Sequence, residues 1–355
     1  MINVKELKAV ITTAKKYCRK GNTTIPALNK VLVSLSGNRL TIRSTDLTTW
    51  YQRTIDIDNV ALKDLRFIVD ASHLLKILNS IKESININVI DNVLHIYTDT
   101  LELASVDVSD AENYPEPIID DMSSMSFLTT LKGGTIKQLA QLAIGRYHSD
   151  LHPLGGICCN PIDKCLYTTN GNVMYRYERM LPLCEENVVI NATRLSHLSN
   201  DDYNIYYNDK QVLLSSLKSQ ETILTENIKG IYPDCKRIIP HENIKAFSID
   251  SKILNNAINS IKHSINARCD IIVLTLNSGI LALSNADNNT RVNIPVDNTL
   301  NIDIRIGFNY KYLLQLANLG NLTFKVNQDV KYRHVACVMI DTDDFDVLLM
   351  PIKLD

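Results

Sequence analysis

The chain has 355 residues, of which 45 % are hydrophobic and 21 % charged, with a formal net charge of −2. These fractions are ordinary for a globular protein, and the length suits two or three domains of roughly 100–200 residues each. No apolar run reaches the roughly 18 residues of a membrane span, and "MINVKELKAV" lacks the long apolar stretch of a signal peptide, so a cytoplasmic protein is expected. The net charge, taken alone, argues against a nucleic-acid partner.

In chain order, the first predicted element is a helix over 3–20, whose Leu7, Val10, Ile11 and Ala14 form one apolar stripe. The run "ALNKVLVSLSGNRLTIRSTD" follows and reads as a hairpin turning at Ser36-Gly37-Asn38. A β-like run then leads into Asp70, a good N-cap for a second helix over 71–82, and "LHIYTDTLELASVDV" supplies further strands. The same order returns twice. A helix over 132–150 carries Ile136, Leu139, Ala140 and Ala143 on one face. The hairpin "LGGICCNPIDKCLYTTNG" turns near Pro161, and Asn191 caps a short segment over 192–200. A third helix over 251–268 carries Leu254, Ala257, Ile258 and Ile261. The hairpin "CDIIVLTLNSGILALSNAD" turns at Asn277-Ser278-Gly279, Asn309 caps a helix over 310–320, and "FKVNQDVKYRHVACVMI" follows.

The capping positions 70, 191 and 309 lie 121 and 118 residues apart. Such a period marks a repeat. Polar joints near 121–127 and 240–247 divide the chain into expected domains 1–122, 123–243 and 244–355, each an α+β unit of two helices on antiparallel strands.

Charge is distributed unevenly. The six helical segments together carry +14 and the remainder −16. Cationic helices on an acidic protein make a localised basic surface, which reverses the inference from net charge. The first helix is expected to present Lys8, Lys15 and Arg19 on one side, opposite its apolar stripe.

Eight cysteines (18, 158, 159, 165, 184, 235, 269 and 337) are scattered without a CxxC pair, and read as buried reduced thiols with no metal role. The chain contains no P-loop, GxSxG or HExxH, so no enzyme is expected. "LKGGTIKQL" (131–139) is glycine-rich before a helix but lacks the rest of a phosphate-binding loop. A repeat-built scaffold that binds only proteins is the alternative to a nucleic-acid partner.

Several stretches resemble one family: "IPALNKVLV" followed by "LTIRSTDL", "AENYPEP" (111–117), "YPDCKRIIP" (232–240), "GFNYKYLL" (307–314) and the terminal "LLMPIKL". In order and spacing the whole chain is similar to the bacterial-type DNA sliding clamp, the β subunit of DNA polymerase III. The resemblance implies half of a closed ring, two chains head to tail around duplex DNA, with helices inside and sheets outside. It implies as partners double-stranded DNA, the polymerase III α subunit, the clamp loader and other proteins with clamp-binding motifs, and no cofactor. Lys8, Lys15, Arg19, Lys20, Lys76, Arg146, His148, His152 and Lys262 are the expected DNA-facing residues. The strand run 101–108 is the expected dimer seam.

The resemblance also gives the apolar C-terminus a role. The terminal run of similar clamps lines a groove for short partner peptides. Carried over, the groove comprises Leu154, Thr169, Gly171, Asn172, Met174, Pro240, Asn309, Tyr312, Leu348, Leu349, Met350, Pro351 and Ile352. Where the family usually has Asp-Gly-His-Arg after the threonine, Thr169 is followed by Asn170, Gly171, Asn172 and Val173, so a more apolar rim and different peptides are expected.

Overall fold

The computed structural model describes all residues except 22, 58–63, 99–100, 118–123, 144–151, 180–181, 266–269, 299–302 and 355. In chain order, helix α1 (Val4–Tyr17) precedes strands β1 (Val31–Ser36), β2 (Arg39–Thr45), β3 (Trp50–Asp56) and β4 (Leu65–Val69). Helix α2 (Ala71–Ser80) precedes β5 (Asn86–Ile90), β6 (Val93–Tyr97) and β7 (Glu102–Asp107). The pattern restarts with β8 (Ser126–Lys132), α3 (Gly133–Ala143), β9 (Gly156–Asn160), β10 (Cys165–Thr169), β11 (Val173–Tyr177) and β12 (Val188–Asn191). Strands β13 (Asp202–Tyr207), β14 (Gln211–Ser216) and β15 (Glu221–Glu226) follow. The last repeat comprises β16 (Asn243–Asp250), α4 (Ser251–Ile261), β17 (Ile271–Asn277), β18 (Ile280–Asn285), β19 (Arg291–Pro295) and β20 (Ile304–Asn309). It ends with α5 (Tyr310–Gln315), β21 (Asn321–Asn327), β22 (Val338–Asp341) and β23 (Asp346–Leu349).

The described residues form two compact units, Met1–Ala140 with Ile190–Lys229, and Gln141–Val189 with Gly230–Asp355. These bodies cut across the three sequence repeats because their largest sheets do. In the first unit an eight-stranded sheet runs β4-β1-β2-β3-β15-β14-β13-β8, beside the three-stranded sheet β5-β6-β7. In the second, an eight-stranded sheet runs β12-β9-β10-β11-β23-β22-β21-β16, beside the four-stranded sheet β19-β18-β17-β20. Each large sheet joins four strands from one repeat to four from the next. The seams are the antiparallel pairs β3–β15, with Trp50 opposite Leu224, and β11–β23, with Met174 opposite Leu348.

The predicted helical stripes form the cores. Leu7, Val10, Ile11 and Ala14 of α1 are buried, as are Ile136, Leu139, Ala140 and Ala143 of α3 and Leu254, Ala257, Ile258 and Ile261 of α4. Tyr17 stacks on Tyr51 at 4.8 Å in the first unit, and Phe247 on Phe324 at 4.5 Å in the second. Asp70 and Asn309 cap α2 and α5, their side chains accepting from the His73 and Lys311 N–H groups at 2.7 and 2.9 Å. The hairpins turn where glycine and asparagine predicted: Gly37, Ser278 and Gly279 have φ of 57°, 46° and 78°.

Several helix expectations change, among them α5, which ends at Gln315 rather than residue 320. The first helix stops at Tyr17 rather than residue 20. Cys18 leaves the helical backbone at ψ 151°, and the Arg19 N–H donates to the Leu28 carbonyl at 2.9 Å. Arg19 and Lys20 therefore lie beyond α1, so helical spacing does not align Arg19 with Lys8 and Lys15. The segment 192–200 holds only a 3-10 turn, Leu195–His197. Asn191 Oδ1 accepts from both the N–H and the hydroxyl of Thr193, at 3.0 and 2.7 Å, which closes a tight local turn instead of opening a helix. Helix α4 ends at Ile261, with Lys262 starting a 3-10 turn. The Gly133-Gly134 pair has a packing role. A side chain at Gly133 would sit 2.3 Å from the Ser199 carbonyl oxygen, so glycine permits the close approach of that segment to α3.

Among the described residues no helix is long and apolar enough to cross a membrane, and no cluster of three metal-ligating side chains forms. Five of the seven described cysteines are buried, all seven are unpaired, and Cys269 lies outside the described residues.

Ile11 is 0 % exposed, and truncating a fully buried isoleucine typically costs about 2–5 kcal/mol; Ile11→Ala should lower the urea midpoint accordingly. Burial, and then the charges of Lys16 and Arg194, hold the His197 pKa below its ordinary value of 6.5. The unfolded chain therefore binds this proton more readily, and stability should fall as pH drops through the ordinary histidine range. His197→Gln should flatten that part of the pH–stability curve, measured by denaturant titration.

Candidate functional site: an apolar cleft in the second unit

The loop between β10 and β11 is fixed by its own side chains. Thr169 Oγ1 donates to the Val173 carbonyl at 2.7 Å and accepts from the Gly171 N–H at 3.1 Å. Asn170 Oδ1 accepts from the Asn172 and Val173 N–H groups, both at 3.0 Å. Gly171 takes φ +85°, which a side chain would disfavour. This rigid loop leads into the β11–β23 seam. Because alternate residues face opposite sides of a strand, Met174 and the opposed Leu348 share one face.

A second segment faces them. Tyr232 is buried, with its hydroxyl donating to the Tyr167 carbonyl at 3.4 Å. The chain then turns through Pro233 and Asp234 into a 3-10 turn, Cys235–Ile238. Lys236 ties that turn to Asp163 at 3.3 Å, and Arg237 pairs with Asp234 at 2.9 Å. Leu154 closes the end from a short turn whose cap is His152 Nδ1, accepting from the Leu154 N–H at 3.2 Å.

Together these elements line an open cleft of about 150 Å³. Leu154, Thr169, Gly171, Asn172, Met174, Leu348 and Met350, all expected from sequence, line it. Val173 also lines it, so the rim following Gly171 is apolar as expected. Tyr312 meets the rim, where its hydroxyl accepts from Asn172 Nδ2 at 3.0 Å. Pro240, Asn309, Leu349, Pro351 and Ile352 do not line the cleft. Leu349 is 1 % exposed and Asn309 caps α5.

Ile352 has another use. It bridges Gly307, donating its N–H at 2.7 Å. Ser109 after β7 and Asn227 after β15 make the same single bridge to Ile68 and Ile190. The terminal residues are thus the third copy of a strap that closes each repeat. A side chain at Gly307 would come within 2.7 Å of the Leu354 side chain and 3.0 Å of the Ile352 carbonyl, so glycine is what lets the strap lie down.

Pro233, Asp234, Cys235 and Ile238 were not foreseen as lining. Their segment stands out in the sequence as "YPDCKRIIP", but no periodicity separates its lining residues from core. Among the described residues, Asp234 is the cleft's one charged lining residue. Met350 and Ile238, at the mouth of the cleft, are 41 % and 50 % exposed.

The expected basic residues fall into several groups. Lys15, Arg19, Lys20 and Lys76 are exposed, and Lys8 and Lys262 are half-buried. Lys262 Nζ donates to Asn259 at 2.9 Å. His152 is exposed but serves as the cap just described. Arg146 and His148 lie outside the described residues. Two positive segments are neutralised locally: Arg194 pairs with Asp46 at 2.8 Å, and Lys311 with Asp270 at 2.6 Å. The cationic surface therefore rests on fewer side chains than the segment count implied.

Burial, and then the nearby Cys165, push the Cys235 thiol up to about 12. The thiolate is the reactive form, so Cys235 should resist iodoacetamide at pH 8 in the folded protein and react readily once unfolded. Mass-spectrometric mapping of the alkylated peptide checks this.

Comparison with known proteins agrees with this fold. Residues 236–326 match the family model described as the DNA polymerase III beta subunit, C-terminal domain. No curated protein matches the chain by sequence. Among solved structures, the sliding clamp (DNA polymerase III subunit beta) from Pseudomonas aeruginosa bound to griselimycin is 18 % identical. The match covers 99 % of this chain and 98 % of that one at a TM-score of 0.78. The beta subunit from Streptococcus pyogenes is 18 % identical, with 99 % of each chain covered and a TM-score of 0.77. The Helicobacter pylori beta clamp bound to a DNA ligase peptide is 17 % identical, with 99 % of each chain covered and a TM-score of 0.75.

Proposed function

We propose that this chain, which has the sliding-clamp fold along its whole length, is a DNA sliding clamp. It is a ring-forming processivity factor that encircles duplex DNA and tethers polymerase through the cleft lined by Met174 and Leu348. The observation that carries the reading is the strand bookkeeping of the repeats. The first repeat lends β4-β1-β2-β3 to a sheet completed by the second, and the second lends β12-β9-β10-β11 to a sheet completed by the third. Two half-sheets remain. The four-stranded sheet ends in β19, which occupies the place of β3 and β11. The three-stranded sheet ends in β7, which occupies the place of β15 and β23. Ile2, bridging Ile85, stands where β8 and β16 stand in the other copies.

Continuing the series requires β7 of one chain to pair with β19 of another. This is a head-to-tail contact, which closes a ring if the rotation closes. The edges fit in chemistry as well: Glu102 and Asp107 are exposed on β7 and Arg291 on β19. Domains 1–122, 123–243 and 244–355 are the repeating modules, and a homodimer presents six of them. The domain boundaries, the β7 seam and the DNA-facing set Lys8, Lys15, Arg19, Lys20, Lys76, Arg146, His148, His152 and Lys262 belong to this reading.

Retention on DNA in a ring is topological. Basic side chains across a hydrated gap supply a sequence-independent attraction to phosphates that does not arrest movement. The protein contributes no catalysis. Partner segments from the polymerase III α subunit, the clamp loader and other clamp-binding proteins dock at the apolar cleft, where a large apolar side chain displaces water over Met174 and Leu348. The protein acts in the cytoplasm and engages no membrane.

Sedimentation equilibrium should give about twice the 40.0 kDa chain mass, and a persistent monomer rejects the ring. Binding to duplex DNA should weaken steeply with salt and show no sequence preference. Lys15→Glu and Lys76→Glu should each lower the salt slope by about 0.9 per phosphate contact removed. Met174→Arg should abolish capture of polymerase-derived peptides while leaving mass and DNA binding unchanged. Nucleotide turnover by the pure protein rejects the reading.

A further inference from the structure

The first unit contains a second cleft, of about 250 Å³, at the equivalent place in its own sheet. The correspondence is residue by residue. In the loop between β2 and β3, Thr45 Oγ1 donates to the Thr49 carbonyl at 2.9 Å and accepts from the Leu47 N–H at 2.9 Å. Asp46 Oδ1 accepts from the Thr48 and Thr49 N–H groups at 3.1 and 2.9 Å. These are the bonds made by Thr169 and Asn170 in the second unit. Trp50 opposite Leu224 takes the place of Met174 opposite Leu348. The far wall is Tyr114-Pro115, as Tyr232-Pro233 is elsewhere, with the tyrosine again buried.

The two clefts differ in charge. Asp234 is the charged lining residue of one, Arg43 of the other. Arg43 donates to Gln52 Oε1 at 2.7 Å and pairs with Glu116 at 3.0 Å. Arg66 pairs with the same Glu116 carboxylate. Two guanidinium groups thus share one carboxylate, and an excess positive charge stands beside an aromatic floor. Arg43 is only partly exposed, so a carboxylate placed there is less screened than at the open surface.

We propose that this cleft is a second peptide-docking site, one that prefers an acidic segment. It takes a partner segment in which a bulky apolar side chain sits next to a carboxylate. The apolar group covers Trp50 and Leu224 while the carboxylate meets Arg43. One chain thereby presents two apolar sites that select different segments.

Trp50 is the single tryptophan of the chain, so the site carries its own reporter. The full-length protein is titrated with a capped peptide bearing two glutamates before a leucine–phenylalanine pair, with emission excited selectively from tryptophan. A saturable change is expected. Replacing the glutamates by lysines, or introducing Arg43→Gln, should weaken the response at least about fivefold, the scale of one partly screened charge pair. Arg66→Gln, at an exposed position, should weaken it as well and serves if Arg43→Gln fails to fold. Thr222→Arg, which fills the mouth, should abolish the response, whereas Met174→Arg in the other cleft should leave it intact.

No emission change at millimolar peptide, or a response lost in Met174→Arg but kept in Thr222→Arg, overturns the proposal. A change of solution mass in Thr222→Arg assigns the face to a second copy of the chain and overturns it too. No DNA enters the measurement, so its failure leaves the clamp reading standing.

Discussion

The architecture depends on backbone pairing between strands of successive repeats. An antiparallel edge with unpaired N–H and C=O groups is unstable in water and seeks another strand. Here β3 meets β15, and β11 meets β23, so each repeat completes a sheet begun by its predecessor. Both clefts follow from that seam. Where two half-sheets join, the loops that precede β3 and β11 and the connectors at Tyr114 and Tyr232 converge on the same strand pair, leaving an apolar furrow. The series ends at β7 and β19, the last strands of the two smaller sheets.

Side chains then differentiate what the backbone repeats. Trp50 and Met174 occupy equivalent positions, yet one lies beside two arginines sharing Glu116 and the other beside Asp234. The same local scaffold of Thr45 and Thr169, each bonded to the carbonyl four residues on, supports both.

Much of this was legible in the linear pattern. The stripes of α1, α3 and α4, the capping residues Asp70 and Asn309 and the glycine turns obey short-range rules, since they depend on neighbours within four residues. The segment after Asn191 misled for a related reason. Its cap is real, but Thr193 uses the same Oδ1 twice, and Arg194 turns to Asp46, a residue distant in sequence. Periodicity carries no information about such partners. Likewise the charge count read Arg194 and Lys311 as free cations, although acids brought near by the fold neutralise them.

The apolar terminus shows the division most clearly. Sequence alone determined that Val347, Leu348, Leu349, Met350 and Ile352 could not all face water, and that the repeat required strands there. Only the tertiary structure decided their separate uses. Val347 and Leu349 enter the core, Leu348 and Met350 line the cleft, and Ile352 straps down over Gly307. Hydrophobicity is a property of a residue, whereas lining, core and strap are set by which surface the strand register turns toward it, and that register is fixed by a partner strand far away in the chain.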